Sequence, residues 1–240
     1  MRLLVDMGNT RLKWAIVENQ SVIAGEPLLN EQMNQQSLQE LWQHITPQCV
    51  VIACVTANQR LELIEAVALS LWAAIKIVHV TAQAQGFGVI NAYPQAEKLG
   101  VDRWLALCAA RQLYAKSVCV VDCGTAITVD LMTAEGQHTG GFISAGLMLM
   151  KQSLARGTDA LPFAMNAYEL EPANNTEAAI YSGTLLAAVG LIEQVLAKQS
   201  TPLAVLLTGG DAALIAPHLS VECVVDPDLV LRGLAIVAEV

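Results

Sequence analysis

Basic side chains are scarce and nowhere clustered. Thirteen Lys and Arg stand against 22 Asp and Glu, giving a net charge of −9. Such a chain lacks the positive footprint that a nucleic-acid backbone requires. Aromatics are also few, at 5%, while hydrophobic residues reach 54%. The core must therefore be built from Ala, Leu and Val, and this composition excludes a disordered chain. The six cysteines are scattered without a C-x-x-C pair, and the four histidines are isolated. Neither pattern has the spacing of a zinc site. Cys49, Cys54, Cys119 and Cys223 sit in apolar runs and read as buried thiols; Cys123, inside a glycine turn, is expected to be partly accessible. The opening apolar run stops at Asp6, too early for a signal peptide. The apolar stretch 184–192 is interrupted by Glu193 and is too short to span a bilayer. The expectation is a cytoplasmic protein with neither membrane nor nucleic-acid partner.

The chain does contain a long-range repeat. LLVDMGNTRLKWAIV (3–17) returns as CVVDCGTAITVDLM (119–132). Each copy is an apolar strand ending in Asp, one spacer, Gly, a pair of small residues (Asn9-Thr10, then Thr125-Ala126) and a second strand-like run. Around the copies the element order repeats too. Residues 3–6, 12–18 and 21–28 read as an antiparallel meander. A surface helix over 30–44, a buried parallel strand over 49–55, a helix over 58–74 capped by Asn58, and a strand over 76–80 follow. Residues 83–93 read as a loop. A helix is expected from Pro94 to about 114, broken near Gly100. The second half predicts strands at 118–122, 127–133 and 140–144, helices at 147–155 and 177–198, a strand at 204–210, a short helix from Asp211, a strand at 221–225 and a helix at 230–237. The reading is an α/β chain of two duplicated lobes, 1–115 and 116–240.

The two turns suit phosphate chemistry. Gly8 allows an anion close to the backbone, Asn9 and Thr10 add donors, and Lys13 adds an ammonium. Asp6 is an acceptor suited to magnesium and its waters. The second turn has Asp122, Gly124 and hydroxyls at Thr125 and Thr128; it has no lysine at the matching place, and Asp130 follows instead. It could hold a cation. Each turn alone could equally be an ordinary hairpin; the duplication favours a shared ligand. Gly209 and Gly210, between a strand and a helix, suit a flat adenine or ribose, or else form a simple tight turn capped by Asp211. Asp102 and Arg103 read either as a helix-surface ion pair or as a general base beside an anion clamp.

These motifs resemble the type III pantothenate kinases, members of the superfamily that includes acetate kinase, sugar kinases, the heat-shock chaperone ATPases and actin. The resemblance rests on DMGNTRLKW (6–14), NAYPQAEKLGVDRW (91–104) and DCGTAITVD (122–130), supported by GGFISAGLMLM (140–150), NNTEAAI (174–180) and LTGGDA (207–212). It implies two ribonuclease H-like lobes of βββαβα type, each with a mixed five-stranded sheet and an ATP cleft between them. It implies ATP-dependent phosphorylation of pantothenate to 4'-phosphopantothenate, the first step of coenzyme A synthesis. ATP with Mg2+ would be held by Asp6, Met7, Gly8, Asn9, Thr10, Arg11, Leu12 and Lys13, and also by Thr125, Gly209 and Gly210. Asp102 would accept the proton. Tyr93, Gly100, Val101, Asp102, Arg103 and Thr176 would contact pantothenate. Asp6 and Asp122 would serve metal ions, Asp122 a monovalent cation such as K+ or NH4+. A homodimer is implied. Two alternatives stay open: a kinase for another small alcohol or acid, and a nucleotide-binding regulatory accessory factor.

Overall fold

The computed structural model describes residues 1–19, 21–56 and 58–238. The chain divides into two units: Met1–Leu113 joined by the C-terminal stretch from Asp228, and Tyr114–Pro227. The first unit opens with β1 (Arg2–Met7), β2 (Arg11–Glu18), β3 (Ser21–Ala24) and β4 (Leu28–Leu29). Then come α1 (Gln35–Trp42), β5 (Cys49–Cys54), α2 (Asn58–Leu71), β6 (Lys76–His79), the short pair β7 (Gln85–Gly86) and β8 (Val89–Ile90), and α3 (Val101–Leu113). Its main sheet runs β3-β2-β1-β5-β6, with β4 added beside β2. β1 is antiparallel to β2 and parallel to β5, which is parallel to β6.

The second unit repeats this plan. It contains β9 (Val118–Cys123), β10 (Ala126–Met132), β11 (His138–Ala145), α4 (Leu147–Gly157), α5 (Thr176–Ala197), β12 (Ala204–Thr208), α6 (Ala212–Ile215) and β13 (Cys223–Val225). The sheet order β11-β10-β9-β12-β13 matches the first strand for strand, antiparallel on one side of β9 and parallel on the other. In each unit the continuous apolar strand lies at the sheet centre, buried on both faces.

One face of each sheet is closed by helices. Leu3, Val5, Met7 and Ile52 meet Leu38 and Trp42 of α1 and Ile64 and Val67 of α2. Cys119, Val121, Cys123, Ile127 and Val129 meet Tyr181, Leu185, Ala188 and Ile192 of α5. α5 is long and apolar enough to cross a bilayer by length and composition, which the reading of 184–192 alone missed; half of its apolar window is buried. Its apolar side covers the second sheet.

Several boundaries differ from expectation. The strand foreseen over 21–28 is two, β3 ending at Ala24 and β4 at 28–29; between them Gly25 packs so closely on the Trp14 ring that a side chain there would collide. Trp14 instead donates its indole N–H to Glu26 O at 3.0 Å. The helix foreseen from residue 30 starts only at Gln35, where Asn34 and Ser37 form a reciprocal capping box. Asn58 is not the cap of α2 but its first residue; the position before it lies outside the described residues. The expected loop at 83–93 contains the β7–β8 hairpin, turned by Phe87 and Gly88 with φ of 53° and 79°. The break near Gly100 is present: a 3-10 turn at Ala96–Lys98 precedes α3.

The last helix, α7 (Leu229–Val237), groups with the first unit rather than with 116–240 as expected. Its buried side, Leu229, Val230, Leu231 and Leu234, lies on α3. A side chain at Gly233 would strike the Leu105 carbonyl, so this glycine sets how closely the two helices approach. Arg2 also ties β1 to the end of α7 by donating to Ala238 O.

Candidate active site

Strand pairing builds the first turn. Asp6 and Lys13 are direct partners across β1 and β2, so their side chains share one sheet face, about 5 Å apart at Cβ. Asp6 is only 8% exposed. Gly8 N–H donates to Arg11 O at 3.1 Å and closes the turn, leaving Asn9, Thr10 and Arg11 on the surface. Met7 and Leu12 are fully buried; they anchor the turn and offer no side chain to a ligand. The turn is fastened from outside by Asn30, which sequence reasoning placed in a helix. Its amide donates to Gly8 O at 2.9 Å and Asn9 O at 2.8 Å, and its backbone N–H donates to Thr10 O at 2.9 Å.

The second turn is built from three strands. Asp122 is paired with Thr128 on β10 and with Thr208 on β12. Paired residues point to the same face, so two hydroxyls flank one carboxylate. Thr208 is 1% exposed, and its Oγ1 has no hydrogen-bond partner among the described residues. A buried orphan hydroxyl is costly unless a ligand completes it. The sequence reading missed Thr208; its place next to Gly209 was the available signal. Gly124 N–H donates to Ala126 O at 3.1 Å, and Thr125 stays exposed. Gly209 has φ of 90° and packs so tightly on Asp122 Oδ1 and the Cys123 backbone that no side chain fits. Gly146 packs as closely on the Gly124 carbonyl. The α6 helix that follows Gly210 is only four residues long, so the dipole foreseen there contributes little.

Two expectations for this turn are corrected. Cys123 is fully buried, because strand alternation turns it away from Asp122 into the α5 side of the sheet. Burial, with Asp122, Asp211 and Cys223 adding to it, drives its thiol far above the ordinary range. It is an inert thiol. Asp130, considered as a second cation-holding acid, is 2% exposed and is engaged by His138 Nε2 at 2.9 Å. A register irregularity in β10 and β11 brings His138 there. Cys49, Cys54 and Cys223 are half-buried rather than buried.

A third constellation lies at the start of α3. Asp102 occupies its first turn, where the helix dipole favours a carboxylate. Its Oδ1 accepts from Arg103 N–H at 2.8 Å. Arg103 is 6% exposed. Its guanidinium donates to the Tyr93 hydroxyl at 3.0 Å and lies 5.7 Å from that ring's centroid. Asn91 fixes the approach to Tyr93: its Oδ1 accepts Tyr93 N–H at 2.9 Å, while its amide donates to Gln83 O and Ala96 O. Gly100 is required because a Cβ there would lie 2.5 Å from Asp102 Oδ1. The motif thus places a carboxylate, a guanidinium and a phenol together. Val101, between Gly100 and Asp102 in the chain, is buried. Thr176 belongs to the other unit, exposed at the start of α5, where Asn175 caps the helix through Ala178 N–H.

One further cation was not foreseen. Lys151 of α4 is 8% exposed, and its ammonium sits 4.8 Å from the Tyr181 ring centroid. Burial lowers its pKa, and the charge of Asp211 partly opposes that. Among the described residues no group of three or more His, Cys, Asp or Glu forms a metal cage.

The family model for type III pantothenate kinase matches residues 2–198. A relative from Nitrosococcus oceani described as a type III pantothenate kinase is 39% identical, with 100% of this chain and 94% of the relative covered. One from Janthinobacterium, with the same description, is also 39% identical over 99% of this chain and 97% of its own length. Among solved structures, a Campylobacter jejuni protein described as a Baf family transcriptional activator superposes with a TM-score of 0.64 at 21% identity, covering 99% and 98% of the two chains. Component A of (R)-2-hydroxyglutaryl-CoA dehydratase from Acidaminococcus fermentans superposes with a TM-score of 0.56 at 13% identity, covering 98% and 95%. These structural likenesses concern the fold alone, an α/β fold of two repeated units. By sequence, the chain belongs to the type III pantothenate kinase family.

Proposed function

We propose that this protein phosphorylates the primary hydroxyl of pantothenate with ATP, giving 4'-phosphopantothenate for coenzyme A synthesis. The observation that carries the reading is the Asp102, Arg103 and Tyr93 cluster: a carboxylate at a helix start beside a buried guanidinium held by a phenol. Pantothenate offers a hydroxyl to the first and a carboxylate to the second. Asp102 takes the hydroxyl proton, the freed oxygen attacks the γ-phosphorus, and the bond to the β-phosphate oxygen breaks to release ADP. Arg103, Tyr93, Gly100, Val101 and Thr176 form the pantothenate contacts.

The first turn holds the phosphates through the N–H groups of residues 9–11 and the Lys13 ammonium. Asp6 would hold the magnesium that accompanies ATP, whose charge would offset that of the phosphates. Thr125, Gly209 and Gly210 receive the rest of the nucleotide. Asp122 holds a monovalent cation, K+ or NH4+; the orphan hydroxyl of Thr208 and the neighbouring Thr128 supply neutral oxygens that suit a singly charged ion. We read the two units as the two lobes of the fold and the enzyme as a cytoplasmic homodimer without a membrane or nucleic-acid partner. Exposed apolar side chains on the edge strand β11 (Phe142, Ile143) and on α4 (Met148, Leu149) support the dimer.

A coupled ADP-release assay tests the activity. ADP should form only when pantothenate is present, and turnover should rise with added K+ or NH4+. Release that ignores pantothenate would overturn the reading.

A further inference from the structure

We infer that Asn30 is a positioning residue that keeps the first turn in its phosphate-binding shape. This rests on the proposed role of that turn. Three successive carbonyls, those of Gly8, Asn9 and Thr10, all accept hydrogen bonds from this one residue. In a trans peptide the C=O and the next residue's N–H point in opposite directions. Holding those carbonyls toward Asn30 therefore turns the N–H groups of Asn9, Thr10 and Arg11 to the other side, as a concave anion nest requires.

The orientation of the Asn30 amide follows from its partners. Both of its N–H groups are used; its Oδ1 is buried and accepts no hydrogen bond from the described residues. Flipping the amide would press that oxygen against two carbonyls. A buried acceptor left unsatisfied is a cost, and here it is tolerated so that two donors reach the turn. The two-residue strand β4 delivers the side chain. It pairs Leu28 and Leu29 with Leu12 and Arg11, and the ladder places Asn30 directly outside the turn. α1 does not begin until Gln35, so Asn30 takes no part in the helix.

Asn30→Asp tests the idea, because it keeps the shape but replaces both donors with acceptors. The expected result is a KM for ATP raised roughly tenfold or more, with KM for pantothenate within about twofold. Adenosine, which has no phosphates, should compete as well against the variant as against wild type. Amide exchange at residues 8–11, measured without nucleotide, should be about tenfold faster in the variant. Asn30→Ser provides the same comparison should the charged variant fold poorly. Unchanged ATP KM and unchanged turn exchange would overturn the inference, as would equal losses for ATP, adenosine and pantothenate. If the wild-type chain binds no ATP, the functional reading fails, and the exchange measurement still decides whether Asn30 holds the turn.

Discussion

A Cβ on Gly100 would lie 2.5 Å from Oδ1 of Asp102 and 3.8 Å from Cδ of Arg103. The glycine before α3 is thus a spatial requirement of the carboxylate. Gly100→Ala should displace the Asp102 carboxylate while leaving α3 intact. A displacement of this order at a reacting group costs about 10- to 100-fold in kcat. Steady-state kinetics beside a thermal melt would check this. A loss of kcat with little change in Tm is expected; unchanged kcat would mean that Asp102 has room to spare.

Asp102→Asn removes the proposed proton acceptor without changing size. Turnover should fall by about 10²- to 10⁴-fold, with ATP binding retained. Near-normal kcat would remove Asp102 from the chemistry and leave it as a helix-start carboxylate.

Much of this site was legible in the sequence, for a physical reason. Both turns follow continuous apolar strands, and a strand buried on two faces reads the same from either side of the sheet. The repeat of Asp-x-Gly therefore marked the matching ends of β1 and β9 in the two sheets. What was hidden depended on tertiary partners. Asn30 shows nothing in a one-dimensional pattern, because its role is set by β4 pairing with β2. The β7–β8 hairpin was hidden because Phe87 adopts a positive φ that sequence signals reserve for Gly and Asn. α7 was assigned to the nearer lobe because its apolar side does not name its partner; the close approach of Gly233 to Leu105 does. Asp130 looked like a ligand until His138 was found beside it.

Gly209→Ala should destabilise the second unit. The backbone there has φ of 90°, and the new methyl would meet Asp122 and the Cys123 carbonyl. Strain and overpacking together suggest about 2–4 kcal/mol. Urea denaturation would measure it as a lower midpoint at unchanged slope. A midpoint equal to wild type would show that the turn can relax, and Gly209 would then lose its role as the spacer beneath Asp122.

The buried Asp130 and His138 pair gives a stability test distinct from catalysis. Both side chains are almost fully enclosed. Removing one partner takes this hydrogen bond from a polar group that stays buried, at about 1–3 kcal/mol. His138→Ala should therefore lower the urea midpoint strongly. The double variant with Asp130→Val should recover much of the loss, since an apolar pair can fill the site without a desolvation cost. Full destabilisation in the double variant would indicate that packing shape, not the pair, holds β10 to β11.

Glu193 sets an acid limit on the same unit. Its carboxylate accepts from Ser220 N–H at 2.6 Å and from Ser220 Oγ at 2.7 Å, joining α5 to the segment before β13. Those two bonds lower its pKa, the backbone bond most, with partial burial opposing them. A carboxylate whose folded pKa lies below its unfolded value contributes stability above the unfolded value, and loses it as pH falls through the folded one. Glu193→Gln should accordingly be less stable than wild type at neutral pH. The gap should close as pH drops below the ordinary carboxylate range, near 4. Urea midpoints for both proteins across pH 3 to 7 would show the two curves converging at the acid end. Curves that stay parallel throughout would mean that the lost shape of the contact, rather than the charge of Glu193, accounts for the difference.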